Sequence, residues 1–240
     1  NYFEAGSNEY CTSAFNDSWM KTKNVLEKNF KKYAEMFPNN QELAWMATRG
    51  GQGHAPSAGI KVFENSGHYI LRNGWDKTST MLIHSNNYSN EKMDIWSHNQ
   101  PDNGTFELYI NKRNFFPDSG VYSYEYNTNT DSGKARLWFR NSENHNTLTL
   151  GKVTEGNRYA SDFKYAAGKL LKADADVLVF ENQGYDNLKH RRTVFYVDKS
   201  YFVLVDEGIG EATGDLHLNF NLCENKDNVV LDAEQKGAHT

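Results

Sequence analysis

From residue 59 onward the chain alternates short runs of β-branched and aromatic residues with polar turns, a punctuation that points to an antiparallel β fold. Ten runs read as strands: Ile60–Phe63, His68–Arg72, Thr80–His84, Phe106–Ile110, Ala135–Phe139, Thr147–Leu150, Val177–Glu181, Thr193–Val197, Tyr201–Asp206 and Leu216–Leu222. Alternation is clearest in Thr105-Phe106-Glu107-Leu108-Tyr109-Ile110, which predicts one buried and one wetter face. Val197-Asp198-Lys199-Ser200-Tyr201 and Ile110-Asn111-Lys112-Arg113-Asn114 read as hairpin turns. With no helical pattern between the runs, the expected fold is a large antiparallel multi-sheet β-sandwich. The 14 Tyr, 14 Phe and 5 Trp supply enough apolar area for its core and exclude a disordered chain.

The first 48 residues read differently. Trp19, Val25, Leu26, Phe30, Tyr33 and Met36 recur at helical spacing until Phe37-Pro38 stops the pattern. Asn39 and Glu42, three apart, read as a capping box that opens a short second helix through Leu43, Trp45 and Met46. Residues 49–58, rich in glycine, read as a linker, so the expected division is a helical segment over 1–48 and a sandwich over 59–240. The linker lacks the Lys-Ser/Thr ending of a phosphate-binding loop. Both ends read as cut: no secretory leader opens the chain, and Val229-Val230-Leu231 reads as a strand just begun. Cys11 and Cys223 predict two buried free thiols rather than a bridge, and exclude a cysteine-based zinc site.

A net charge of −5 without a basic run argues against a nucleic-acid binder. No apolar stretch approaches the roughly 20 residues of a membrane span. Chemistry concentrates in Trp96-Ser97-His98-Asn99-Gln100-Pro101-Asp102-Asn103-Gly104, a polar turn leading into a strand. Such a position suits a site, because a rigid scaffold holds side chains that solvent reaches; Asp102-Asn103-Gly104 also reads as ordinary turn chemistry. Asp118, Tyr122 and Tyr124 follow one strand, and Arg140 and His145 precede another. His84, His190 and His217 fall in strands and read as structural. Lys189-His190-Arg191-Arg192 is the one basic cluster, either a solvated turn or a glycan contact.

Three ordered motifs carry a resemblance: His98-Asn99-Gln100-Pro101-Asp102-Asn103-Gly104-Thr105-Phe106-Glu107-Leu108, Asn114-Phe115-Phe116-Pro117-Asp118-Ser119-Gly120, and His145-Asn146-Thr147. Together with Gly67-His68-Tyr69-Ile70-Leu71-Arg72-Asn73-Gly74-Trp75-Asp76, they resemble the C-terminal half of the heparinase II/III family, on its heparan-sulfate-cleaving side. The resemblance implies an upstream (α/α) toroid domain, of which residues 13–48 would be the last helices, and a substrate cleft shared with it. It implies β-elimination of an anionic polysaccharide: loss of the C5 proton beside a uronate carboxylate and expulsion of the 4-linked oxygen. By that resemblance His98 is the general base or carboxylate neutraliser, and its Asn and Tyr partners belong to the toroid, so the chain alone is expected to be inactive. Trp96, Asn99, Asp102, Asn103, Tyr122, Tyr124 and Arg140 are the implied substrate-binding residues. Gln100, Asp118 and His145 match a structural metal site. Gln100 departs from the family's histidine, which leaves zinc, calcium, manganese or a metal-free hydrogen-bond network open. The alternatives are a lyase for alginate or chondroitin and a non-catalytic carbohydrate-binding sandwich. A polymeric substrate implies a periplasmic or secreted protein.

Overall fold

The computed structural model describes residues 28–75, 80–84, 102–110, 113–120, 122–151, 168–223, 230–232 and 237–239. Helix α1 runs over residues 28–36 and α2 over Gln41–Thr48. The cap of α2 is Asn40 rather than Asn39: its side chain accepts from the Leu43 amide at 3.0 Å. One residue decides this, because the cap must sit three before the amide it satisfies.

The strands that follow are β1 (Gly59–Phe63), β2 (His68–Arg72), β3 (Thr80–His84), β4 (Phe106–Ile110) and β5 (Arg113–Phe116). They form an antiparallel meander in sequence order. After helix α3 (Asp131–Phe139) and β6 (Leu148–Gly151) come β7 (Lys169–Ala173), β8 (Val177–Tyr185), β9 (Leu188–Val197) and β10 (Tyr201–Gly210). These last four make a second antiparallel sheet, ordered β10-β9-β8-β7. Strand β11 (Asp215–Leu218) pairs with β6, and β12 (Val230–Asp232) with β13 (Gly237–His239).

The two larger sheets face each other across one core. Tyr69, Leu71, Ile83, Phe106 and Leu108 from the first meet Leu178, Phe180, Val194 and Tyr196 from the second. Each contributes about 1.5–3 kcal/mol by leaving water. Tyr69 and Phe180 bridge the sheets with ring centroids 5.4 Å apart. Alternation explains the arrangement: in β9 the residues at every second position, from Leu188 to Tyr196, point inward.

Five expectations change. Ala135–Phe139 is helical, not extended. Thr130 caps α3 by accepting from the Gly133 amide at 3.0 Å, and Leu137 and Trp138 are exposed rather than alternating inward. Arg113–Phe116 and Lys169–Ala173 are strands that the pattern does not reveal. Lys189-His190-Arg191-Arg192 is neither a turn nor wholly solvated: it lies in β9, with His190 and Arg192 buried. The run expected at Leu216–Leu222 is a ladder only to Leu218; beyond it Asn219 Nδ2 donates to the Thr147 carbonyl and the Asn221 amide to Asn146 Oδ1. Cys223 is an exposed free thiol, not a buried one, and Cys11 lies outside the described residues.

The linker folds back on α2 instead of trailing free. His54 donates its amide to the Gln41 carbonyl, and a Cβ at Gly53 would stand 2.0 Å from that same oxygen. Trp45 of α2 meets Trp75 edge-on at 5.5 Å, and Trp75 Nε1 donates to the Pro56 carbonyl at 2.6 Å.

Candidate functional site

Pro117 ends β5, and Asp118 follows it at the rim of the first sheet. Asp118 Oδ1 accepts from the Gly120 amide two residues on, at 2.8 Å, in an Asx-type turn that needs φ +67° at Gly120. Its other oxygen accepts from Thr105 Oγ1 at 3.0 Å and lies 2.9 Å from His145 Nδ1. Thr105 opens β4 from a tight turn in which its amide donates to the Asp102 carbonyl at 2.9 Å. Gly104 in that turn has φ +79°, and a Cβ there would come within 2.6 Å of Asn182 Nδ2. The turn reading of Asp102-Asn103-Gly104 therefore describes the backbone correctly.

Three loops converge here because Asn146 and Thr147 tie them. Asn146 Nδ2 donates to the carbonyls of Phe106 and Pro117 at 2.8 and 2.9 Å, and Thr147 Oγ1 to that of Asn103 at 2.7 Å. The result is a buried cluster of Asp102, Asp118 and His145, exposed by 2%, 1% and 0%. Ligand-type atoms of all three lie within 4.8 Å of one another.

Burial dominates the electrostatics. The Asp102 carboxyl is pushed up to about 7 by loss of water and further raised by the Asp118 charge, against the pull of His145 and Arg140. Burial opposes an imidazolium at His145, yet the Asp118 and Asp102 carboxylates and the Phe139 carbonyl together hold it above the usual range. A carboxylate only accepts, so His145 Nδ1 carries the hydrogen toward Asp118. His145 Nε2 and Asp102 Oδ2 remain buried with no hydrogen-bond partner. Two carboxylates, an imidazole and two orphaned atoms fit a divalent cation, whose charge would offset the crowded carboxylates.

A second buried cluster anchors the first to the other sheet. Arg192 of β9 donates through Nη1 to the carbonyls of Gly104 and Asn146, at 2.8 and 2.9 Å. Its Nε donates to Asp206 Oδ1 at 2.6 Å, and the same oxygen lies 2.6 Å from His190 Nε2. Burial lowers His190, with Arg192 adding to the effect and Asp206 opposing it. Asp206 lies below the usual carboxylate range because His190 and Arg192 outweigh its burial.

The sequence-derived site residues divide into three groups. His98, Trp96, Asn99 and Gln100 lie outside the described residues. Asp118 and His145 come together as expected of two metal-type ligands, and Asp102 joins them. For Asp102 and Asn103 this is a correction: both side chains are buried rather than presented to a saccharide. The turn that carries them is clamped under Thr147 and Arg192. Tyr122 and Tyr124 are exposed on the segment leading to α3, and Arg140 caps the C-terminus of α3, half-buried. Tyr122 holds φ +64°, an uncommon value for a non-glycine residue, while its ring stacks on Phe139 at 5.1 Å. Sequence reading missed Arg192 and Asp206; the one available signal was charge at inward positions of a strand.

The fold and site define a multi-sheet antiparallel β-sandwich with an acid–imidazole cluster buried at one rim. The chain belongs to the heparinase II/III-like C-terminal family, which matches residues 55–240, and residues 5–45 match the heparinase II/III N-terminus. It is 53% identical, over all of its length, to a heparin-sulfate lyase of Bacteroides thetaiotaomicron. It is 39% identical over 97% of its length to a heparin-sulfate lyase of Pedobacter heparinus. The crystal structure of a heparinase III superposes with a TM-score of 0.79 at 50% identity, covering 100% of this chain and 37% of that one. A heparan sulfate lyase from Pedobacter heparinus gives 0.72 at 36% identity, covering 88% of this chain and 31% of that one. The chain spans about a third of the length of these curated relatives.

Proposed function

We propose that this chain is the sandwich portion of a polysaccharide lyase that cleaves heparan-sulfate-type glycosaminoglycan by β-elimination. The observation that carries the reading is 53% identity across the whole chain to a heparin-sulfate lyase. The reaction asks for three things: neutralisation of the uronate carboxylate, removal of the C5 proton, and protonation of the departing 4-linked oxygen. His98 supplies the first or the second. The remaining groups, an Asn and a Tyr, come from an upstream helical toroid to which α1 and α2 belong. Trp96, Asn99, Tyr122, Tyr124 and Arg140 form the sandwich side of the saccharide cleft. Asp102 supports the site from within, because its turn is fixed four residues after His98 in sequence.

Asp102, Asp118 and His145, with Gln100 as a fourth candidate, would hold a zinc, calcium or manganese ion. Such an ion would neutralise the paired carboxylates and cross-link the three loops. Access to a polymeric substrate places the protein in the periplasm or outside the cell.

The test is release of unsaturated uronate by the full-length protein, read by ultraviolet absorbance on heparan sulfate, chondroitin sulfate and alginate. Turnover of heparan sulfate is expected, with a loss of about 10²–10⁴-fold in His98→Ala at unchanged fold. Turnover of alginate alone overturns the substrate. Glycan binding without turnover, indifferent to His98→Ala, marks a binding module instead. Elemental analysis after gentle purification checks the ion.

A further inference from the structure

Arg136 on α3 is a buried cation with no counter-charge among the described residues. Its side chain is 8% exposed, yet Nε and Nη1 reach no hydrogen-bond partner. Its guanidinium lies 4.4 Å from the centroid of the Tyr126 ring. The carboxylates nearest in sequence are turned elsewhere. Glu125 Oε1 accepts from the Asn127 amide at 2.7 Å, and Glu143 Oε1 from Asn141 Nδ2 at 2.7 Å. Asp131 faces Lys134 at 3.7 Å, and Asp118 holds His145. Among the described residues Arg136 forms no ion pair. A lysine or a carboxyl sheds its charge when buried; a guanidinium keeps it, so Arg136 is open to an anion from outside the described residues.

The surroundings suit a saccharide. Tyr126 is 73% exposed and Trp138 56%, and Tyr122 and Tyr124 are also exposed on the same segment. Aromatic faces of this kind take the apolar side of a sugar ring while a few placed polar groups fix its orientation. The support beneath is firm: Ser132 Oγ of α3 donates to Ser123 Oγ at 3.0 Å, and Thr130 caps the helix.

We propose that Arg136, roofed by Tyr126, is an anion subsite that takes a sulfate or a uronate carboxylate of the glycan once the tyrosine ring moves aside. The assignment of the anion to a glycan rests on the lyase reading; the presence of an anion site does not. Arg136 binds the ligand and takes no part in proton transfer, so its signature is a change in KM rather than kcat.

Full-length wild type, Arg136→Gln, Arg136→Lys and Tyr126→Ala are compared on heparan sulfate and on its unsulfated, N-acetylated backbone polymer. Arg136→Gln is expected to raise KM about tenfold with kcat within about twofold, and Arg136→Lys to recover part of the loss. A loss confined to the sulfated polymer assigns a sulfate; a loss on both assigns the carboxylate. An unchanged KM on both overturns the proposal. Inorganic sulfate supplies an arm that needs no turnover: it is expected to raise the Tm of wild type and not that of Arg136→Gln. Equal shifts in both proteins overturn the site. If wild type shows the sulfate shift yet cleaves no uronate polymer, the lyase reading falls and the anion site stands. Without added anion, Arg136→Gln is expected to match wild type in Tm or exceed it, since it relieves an unpaired buried charge. A fall of more than about 5 °C marks a structural group and overturns the proposal.

Discussion

At Asp102 the cost of burial is large enough to be read in the stability of the chain. Its carboxyl is pushed up to about 7 in the folded state, chiefly by burial, whereas an unfolded chain releases that proton near the ordinary value of about 4. Between those values the folded state holds more protons than the unfolded one, so stability falls as pH rises, by about 1.4 kcal/mol for each unit of separation. His145 acts in the same direction: its folded value is raised, so its contribution is complete below about 6.5 and is lost as pH climbs through the folded value. The cluster is therefore expected to make metal-free protein melt several degrees higher at pH 5 than at pH 8, with the lowered His68 and His190 opposing it below about 6.5. Asp102→Asn should flatten that slope and match or exceed wild type at pH 8. Thermal scans in chelator decide it; stability that rises from pH 5 to 8 contradicts the assignment. Arg192 presents the opposite case, a buried charge bonded through Nε and Nη1. Arg192→Met leaves Asp206 with His190 alone and frees the Gly104 and Asn146 carbonyls, and should cost about 3–5 kcal/mol in urea unfolding. A loss below about 1 kcal/mol would show that the loops hold without it. Asp118 and His145 were legible in the sequence as ligand-type residues. Asp102 was read as a polar turn residue and a substrate contact, not as a buried ligand, because its burial depends on which loops the topology brings together, and no local pattern records that.

Elements were most legible where one face is apolar and least where a cap or a buried charge decides. The runs at His68–Arg72, Thr80–His84 and Phe106–Ile110 coincide with β2, β3 and β4 because alternation and flanking turns agree. In Ala135–Phe139 three large apolar residues stand in a row, but Thr130 and Asp131 open a helix there, and a capped amide outweighs a short apolar run. Strand β9 was read too short because His190 and Arg192 look like solvent-facing charges until Asp206 is placed beside them. The β9–β10 hairpin gives a prediction at this scale. Asp198 and Lys199 have φ of +48° and +50°, the two left-handed positions of a type I′ turn. Neither is glycine, so each carries strain that a Cβ imposes. Lys199→Gly should raise stability by about 0.5–1 kcal/mol, since the turn needs that conformation and the lysine carbonyl still accepts from Asn73. Equilibrium unfolding of the two proteins checks it, and a destabilised glycine variant would mean that the lysine side chain contributes more than its strain.

For the whole molecule, the architecture was legible and the division of labour was not written in any single element. The two sheets enclose an apolar core that passes into charge at one rim, where Arg192 ties the acid–imidazole cluster to the opposite sheet. That rim is tied by buried hydrogen bonds, which suits it to holding the neighbouring loops in register. The α3 face carries exposed aromatics and a cation without a counter-charge among the described residues, a surface suited to meeting something else. On the proposed reading His98 is one of the three groups the elimination needs, the other two lie on the upstream toroid, and the chain spans about a third of its relatives' length. The expected outcome is a separation of folding from activity. The 240-residue chain alone should unfold cooperatively, yet release unsaturated uronate from heparan sulfate at less than about a thousandth of the full-length rate. The magnitude follows from losing a proton-transfer group worth about 10²–10⁴-fold together with the neutraliser of the carboxylate. Supplying the upstream helical domain on the same polypeptide should restore turnover without shifting the unfolding midpoint of the sandwich by more than the docking contacts contribute. A rate from the isolated chain above about a hundredth of full-length would place base, acid and neutraliser all within these 240 residues, and the shared cleft would have to be given up in favour of a site lying wholly on the sandwich.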